Sequence, residues 1–322
     1  MPDTRIGLIG LGSFNSNYHQ RRLLEREDAA VTAICDISDS NLQRTAERFP
    51  DSTTFTDYRE LLDSDLVDGI IVSTPNQYHF EQCKAAIERD IPVLVDKPIT
   101  VTVSDAEQLV ALSKSRGVIL QTAFTRHFMA STEHVRQEMR SGQLDVQRMT
   151  AIQRGSEIKN TIQDGGMLHR RTVHIFDVVP WITGRRVERV SATVEYESGQ
   201  TEEQMVSAKL ELEGGLSCNL LCITDCEERH DEVNVYGKTH SYRLDKQTIE
   251  RGSGRSGWEK LDLPGIGNST AHFVEAIRGG TFDENGPFAD PHSEDGLQAM
   301  RVLWAVHEAG QTGKVVEVGS RS

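Results

Sequence analysis

A change of pattern near residue 122 constrains this chain more than any other feature. From Arg5 to Thr122, short β-rich runs alternate with helical stretches. Strands are expected at Arg5–Gly10, Ala30–Asp36, Gly69–Ser73, Val93–Asp96 and Ile119–Thr122. Helices are expected at about Asn15–Glu27, Asp39–Phe49, His79–Arg89 and Val103–Arg116. Helices between strands act as crossovers, so the alternation predicts a doubly wound parallel sheet covered on both faces. After residue 123 the order differs. A helix at about Ser131–Ser141, a strand at Gln147–Arg154 and a helix at about Met167–Thr183 lead into a run of strands. These are Arg189–Tyr196, Gln204–Leu212, Leu216–Thr224, Asp231–Tyr236 and Ser241–Leu244, joined by short connections. Short connections favour antiparallel pairing. The expectation is an α/β domain over 1–122 and an α+β domain over 123–322, the second built on one open, mostly antiparallel sheet. The glycine-rich stretch 252–267 reads as a mobile loop, and Val315–Val318 as a last strand after a helix at about Ser293–Gly310.

The first strand runs into Gly10-Leu11-Gly12-Ser13-Phe14-Asn15. Two glycines at this spacing allow a tight turn and close approach of a pyrophosphate to a helix start. Asn15 stands where a third small residue is usual, so it either crowds the helix–strand contact or marks a shifted helix start. Asp36 ends the second strand, about 20 residues beyond the turn, where a carboxylate can accept from a ribose 2′-hydroxyl and repel a 2′-phosphate. No arginine immediately follows it. The reading is a Rossmann-type dinucleotide site with NAD favoured over NADP.

Bulk properties exclude other classes. A net charge of -14 repels phosphate backbones and anionic lipid, so neither nucleic acid nor membrane is an expected partner. No stretch approaches ~18 apolar residues. The start of the chain lacks the apolar run of a signal peptide, and the expected location is the cytoplasm. The five cysteines, Cys35, Cys83, Cys218, Cys222 and Cys226, are expected to be reduced. The last three lie too far apart along a strand to share one zinc, so no metal is expected.

Further segments complete an ordered set: Ser73-Thr74-Pro75-Asn76-Gln77-Tyr78-His79, Val93-Leu94-Val95-Asp96-Lys97-Pro98, Gln121-Thr122-Ala123-Phe124-Thr125-Arg126-His127-Phe128, and Gly165-Gly166 followed by Arg170 and His174. With the closing Gly313-Lys314-Val315-Val316-Glu317-Val318, the series resembles the glucose-fructose oxidoreductase / inositol dehydrogenase / rhizopine-catabolism (Gfo/Idh/MocA) family over nearly the whole chain. The resemblance implies that Thr74, Pro75, Asn76 and His79 lie near NAD. It implies that Asp96-Lys97-Pro98 stands for the family's Glu-Lys-Pro, whose lysine polarises the substrate hydroxyl and whose Lys-Pro bond is commonly cis. It also implies a dimer or tetramer assembled through the C-terminal sheet. The family carries an aspartate four residues before the histidine of the second domain; this chain carries Arg170.

Oxidation of a sugar alcohol requires removal of the hydroxyl proton, which a neutral imidazole can accept. His174 is the candidate base and Lys97 its companion. Arg170 admits three readings. It binds a carboxylate or phosphate on the substrate, as a planar guanidinium does well; it pairs with Asp164 or Asp177 away from substrate; or the dehydrogenase site is lost. His169, Arg171, Arg154 and Lys159 lie nearby in sequence, a basic concentration in an acidic chain. Arg126, His127 and Arg154 are carried as further substrate contacts, and Trp258 as a loop aromatic that either stacks on a sugar or tucks onto the core. The expected activity is NAD-dependent hydride transfer involving a sugar, sugar acid or cyclic polyol. The alternatives are an NAD-recycling epimerase or glycosidase-like enzyme, and a non-catalytic dinucleotide sensor.

Overall fold

The computed structural model describes residues 4–155, 166–196, 203–224, 226–245, 248–254, 256–279 and 291–319. The chain forms two compact units, one of Met1–Phe124 with Gly267–Leu297, the other of Thr125–Ile266 with Gln298–Ser322. The segment 267–297 therefore returns to the first unit, which a single division at residue 122 does not include.

The first unit holds six parallel strands: β1 (Thr4–Ile9), β2 (Ala29–Cys35), β3 (Thr53–Phe55), β4 (Gly69–Val72), β5 (Val93–Val95) and β6 (Leu120–Thr122). Their order is β3-β2-β1-β4-β5-β6, the arrangement of a dinucleotide-binding fold. β4 and β5 are buried along their whole length, as strands covered on both faces must be. The helix Val103–Arg116 follows the sequence expectation. Thr102 Oγ1 caps its start by accepting from Asp105 N at 3.1 Å. The returning helix Ser269–Ile277 is capped by Asn268, whose Oδ1 accepts from Ala271 N at 2.9 Å. Its Phe273 and Val274 join Ile6, Leu8, Leu11 and Ile34 in one apolar cluster. Gly69 makes room for it: a Cβ there would stand 2.4 Å from Ile277 Cδ1.

The helix expected from Asn15 to Glu27 is instead two short helices, Ser13–Asn17 and His19–Leu24, broken at Tyr18 (φ -110°, ψ -67°). The break accompanies an inward face made of polar side chains. Asn15, Ser16, His19 and Gln20 are all buried. Gln20 Nε2 donates to Asn15 Oδ1 and Thr45 Oγ1, and Arg48 donates to Ser16 and Gln20. Asn15 joins that hydrogen-bonded layer through its Oδ1.

The second unit is built on a nine-stranded sheet: β7 (Val146–Arg154), β8 (Val187–Tyr196), β9 (Glu203–Leu212), β10 (Ser217–Ile223), β11 (His230–Gly237), β12 (Ser241–Asp245), β13 (Ile249–Gly252), β14 (Trp258–Leu261) and β15 (Val316–Glu317). The order is β14-β13-β12-β11-β7-β10-β9-β8-β15. Pairing is antiparallel except between β7 and β10. Part of the expected loop at 252–267 is strand: β14 pairs with β13, and Trp258 covers Gly252 while the Arg243 guanidinium lies 4.4 Å from its ring centre. Trp258 is a hairpin residue stacked by a cation, which corrects the mobile-loop expectation. Cys218 and Cys222 lie on the buried face of β10, and burial pushes their thiols up to about 12. Among the described residues, no helix is long and apolar enough to cross a membrane.

Candidate active site

In an open α/β sheet ligands bind beyond the C-terminal strand ends, where the strand order reverses. Here that point lies between β1 and β4. Gly10 closes the turn after β1 with φ +82°, and a Cβ there would lie 2.7 Å from the carbonyl of Ser73 and from Thr74 Cγ2. Glycine is required on both counts. A Cβ on Gly12 would meet nothing within 4 Å. The turn is therefore open on that side, beside Ser13 and Phe14, and this cradle fits a pyrophosphate.

Asp36 is fastened to the same turn. Its Oδ2 accepts from Leu11 N at 2.6 Å and from Asn41 Nδ2 at 3.1 Å, and its Oδ1 accepts from Ser38 N at 2.8 Å. A carboxylate has about four acceptor sites, so one remains for a ribose hydroxyl. Arg44 was missed by the sequence reading. It comes from the helix Asp39–Arg48 and donates to Leu11 O and Asn41 Oδ1, each at 2.9 Å. Inspecting only the residues directly after Asp36 overlooks a guanidinium two helical turns further on.

The ends of β4 and β5 are tied together from below. Ser73 Oγ donates to Asp96 Oδ2, Asp96 Oδ1 lies 3.0 Å from His19 Nε2, and His19 Nδ1 lies 2.8 Å from Thr270 Oγ1. His19 and Thr270 are fully buried. Sequence reasoning does not bring the two together, because Thr270 arrives only with the returning helix. The Lys97–Pro98 bond is cis, and Lys97 is half-buried.

His79 is fully buried. Its Nδ1 and Nε2 each lie 2.8 Å from a backbone oxygen, that of Pro98 and that of Thr74 respectively. Burial pushes the imidazole below the usual histidine range, against the opposing pull of both carbonyls and Asp96. Thr74 Oγ1 donates to Gln82 Oε1 at 2.6 Å. His79 thus braces the Thr74–Pro75–Asn76 loop against the Lys97–Pro98 turn. Pro75 is exposed and Asn76 half-buried, on the open side of that loop.

In the second unit, Leu168–Thr172 form a wide π turn that continues into the helix Val173–Thr183. Such turns recur at functional sites. Residues 167–169, 171–173 and 175 are buried, whereas Gly166, Arg170 and His174 are half-buried. The i, i+4 spacing therefore places Arg170 and His174 on the one open face.

Their basic neighbours are committed elsewhere. Arg171 donates to Gly155 O at 3.1 Å and Arg154 O at 3.0 Å, and it faces Asp231. His169 packs edge-on against Trp304. The Arg154 guanidinium pairs with Glu228 at 2.9 Å. It shares a sheet face with Thr150 and Ile152, opposite the face where Thr172 meets Cys222. Strand alternation thus turns Arg154 away from the helix that holds Arg170.

Arg126 is buried facing Asp231, and burial lowers its pKa. His127 stacks on Trp181 with ring centres 4.5 Å apart and sits 2.9 Å from Asp177. Asp177 is therefore a partner of His127. Burial still holds the Asp177 carboxyl above its ordinary range, with His127 opposing the shift. Lys159, Asp164 and Gly165 lie outside the described residues.

Residues 4–124 match the family described as "Oxidoreductase family, NAD-binding Rossmann fold", and residues 132–243 match the "GFO/IDH/MocA C-terminal domain". The inositol 2-dehydrogenase of Corynebacterium glutamicum (strain R) is 27% identical over 216 residues, 64% of each chain. The D-glucoside 3-dehydrogenase of Escherichia coli (strain K12) is 25% identical over 189 residues, 56% of this chain and 54% of that one. The matched span thus covers less than two thirds of either relative. Among solved structures, aldose-aldose oxidoreductase from Caulobacter crescentus has the same fold, with a TM-score of 0.86 at 19% identity over 98% of this chain and 99% of that one. By its strand order, its glycine turn and these two matched spans, the chain belongs to the Gfo/Idh/MocA oxidoreductase family.

Proposed function

We propose that this chain is an NAD-dependent dehydrogenase acting on a CH–OH group of a sugar, sugar acid or cyclic polyol. The observation that carries the reading is the convergence of Gly10, Asp36, Thr74, Asp96 and Lys97 at one set of strand ends, linked by direct contacts. The relatives' names, inositol 2-dehydrogenase and D-glucoside 3-dehydrogenase, support the substrate class. Gly10 and Gly12 admit the pyrophosphate, and Asp36 accepts from the adenosine ribose. NAD, when bound, supplies the hydride acceptor. Lys97 Nζ donates to the substrate hydroxyl and polarises it, and His174 takes the hydroxyl proton. Arg170 binds an acid group on the substrate through its planar donors.

The test is NAD and NADP reduction on a panel of myo-inositol, D-glucose, D-gluconate and D-glucuronate. The reading expects turnover with NAD, faster on the two acids. Equal or faster turnover of the neutral compounds overturns the role given to Arg170, and absence of turnover with Asp36→Ala unchanged in NAD affinity overturns the cofactor assignment.

We infer also that a second copy covers the open sheet face. There Ile152, Leu221, Ile223 and Met205 lie side by side in register and half-buried, on the face opposite Cys222. Light scattering of Leu221→Glu checks this: a dimer or tetramer for the parent and a smaller species for the variant are expected. A monomeric parent overturns it.

A further inference from the structure

The helix that carries Arg170 and His174 begins beside an unusual neighbour. Gly166 has φ +79°, and a Cβ there would stand 2.4 Å from Oε2 of Glu203 and 3.1 Å from its Cδ. That same Oε2 accepts the backbone N–H of Met167 at 2.8 Å. Glu203 opens β9 and is only 7% exposed, although glutamate is almost never so buried without a partner. Its backbone is pinned in turn, since Thr224 Oγ1 donates to Glu203 O at 3.2 Å.

The first amides of a helix have no acceptor within the helix, and they carry the positive end of its dipole. Met167, the residue at this start, makes no side-chain cap. The cap arrives from a strand distant in sequence.

We propose that Glu203 is a positioning residue. Its carboxylate caps the helix at Met167 and fixes where Arg170 and His174 stand along the open face, and residue 166 is glycine so that the carboxylate has room. Glu203 acts through the helix start. The proposal rests on the roles given above to Arg170 and His174, and it names the device that holds them. The glycine preceding Met167 then has a cause beyond its own backbone angle: a side chain of any size would lever the carboxylate off the amide it serves.

The test compares the full-length chain with Glu203→Ala, Glu203→Gln and Gly166→Ala. It reads hydrogen exchange over 166–175 and the steady-state rates of NAD reduction on the four-compound panel. In Glu203→Ala, exchange at 166–172 is expected to rise about tenfold while β7 and β10 keep their protection. The kcat/KM for the sugar or polyol falls about 10- to 100-fold, and the KM for NAD stays within about twofold. Glu203→Gln keeps an acceptor oxygen in place and stays within about threefold of the parent in both readouts. Gly166→Ala resembles Glu203→Ala, and the double variant is no worse than Gly166→Ala alone, because both changes remove one contact.

Parent-like exchange at 166–172 in Glu203→Ala overturns the cap. Lost protection with parent-like kcat/KM overturns the positioning role. Should Glu203→Ala fail to fold, Glu203→Gln decides: retained protection supports the acceptor role and lost protection overturns it. A parent chain that turns over none of the four compounds defeats the functional reading, while the exchange experiment still judges the cap.

Discussion

Asp96 in the first unit and Arg170 in the second both stand beside a residue assigned to the chemistry, yet the protein treats them differently. Asp96 is held on both oxygens, by Ser73 on one side and His19 on the other, and His19 is held in turn by Thr270. Arg170 is half-buried on an open helix face whose flanking residues are buried. The carboxylate belongs to the scaffold as much as to the site. The helix that carries the guanidinium is secured by Arg171, by the His127–Asp177 pair and by Glu203. A change of charge at 96 would propagate through the strand ends. One at 170 changes what the half-buried face presents, on a helix that Arg171 and Glu203 also hold.

Four substitutions and one titration can break or sharpen that contrast. The largest effect is expected for Lys97→Ala, with kcat/KM for NAD reduction down about 10²–10⁴-fold and dinucleotide affinity retained. Turnover within a few-fold of the parent would remove Lys97 from the chemistry. Asp96→Ala should cost about 1–3 kcal/mol in urea unfolding, because it leaves Ser73 and His19 without their shared acceptor. Arg170→Asp should move the midpoint by less than about 0.5 kcal/mol while reversing any preference for acidic over neutral substrates. Equal losses from Asp96→Ala and Arg170→Asp would erase the distinction drawn between the two regions.

The pH dependence follows from His79 and its sign can be worked out. Burial lowers its folded pKa, so below about pH 6.5 the unfolded chain binds a proton that the folded chain resists. The first unit therefore loses stability as pH falls, by up to about 1.4 kcal/mol per unit, and His272, also lowered by burial, adds to the loss. In the second unit Asp177 is raised, so its contribution has the opposite sign and is lost as pH rises. Hydrogen exchange followed from about pH 7.5 down to about pH 4, the ordinary carboxylate range, in β4–β5 and in the helix Val173–Thr183 separates the two, and an acid-insensitive β4–β5 would refute the assignment. The smallest effect is expected for Trp258→Ala, with kcat/KM within about twofold, since this ring meets Arg243 and Gly252 in a hairpin. A loss beyond tenfold would restore the reading in which Trp258 stacks on a sugar.

The parallel sheet was legible because its strands are separated by helices of ordinary length with visible caps; Val103–Arg116 emerges with the bounds expected for it. The glycine turn and Asp36 were legible because a backbone constraint selects glycine and a strand end sets the spacing. What escaped was contact at long range. His19 is fully buried, and its partners Asp96 and Thr270 lie far along the chain. Nothing local in a five-residue helix foretells that its neighbour will turn inward. Arg44 escapes because it reaches back to Leu11 from within the helix Asp39–Arg48, well past the strand end that Asp36 marks. β14 was obscured by flanking glycines, whose effect on the local backbone was outweighed by pairing with β13. Arg154 lay close to Arg170 in sequence but turned to the other sheet face, a separation that alternation along β7 imposes and that proximity in the chain conceals.

The return of residues 267–297 to the first unit has a consequence for how the protein is made. Ile6, Leu8 and Leu11 leave the ribosome well before Phe273 and Val274, which complete their cluster and emerge only after the whole of β7 to β14. The nucleotide-binding half cannot be finished when its own six strands have emerged. It must wait, with the start of β4 uncovered, while Thr125–Ile266 is synthesised, and the second unit waits in turn for Gln298–Ser322, so the two units are completed in an interleaved order.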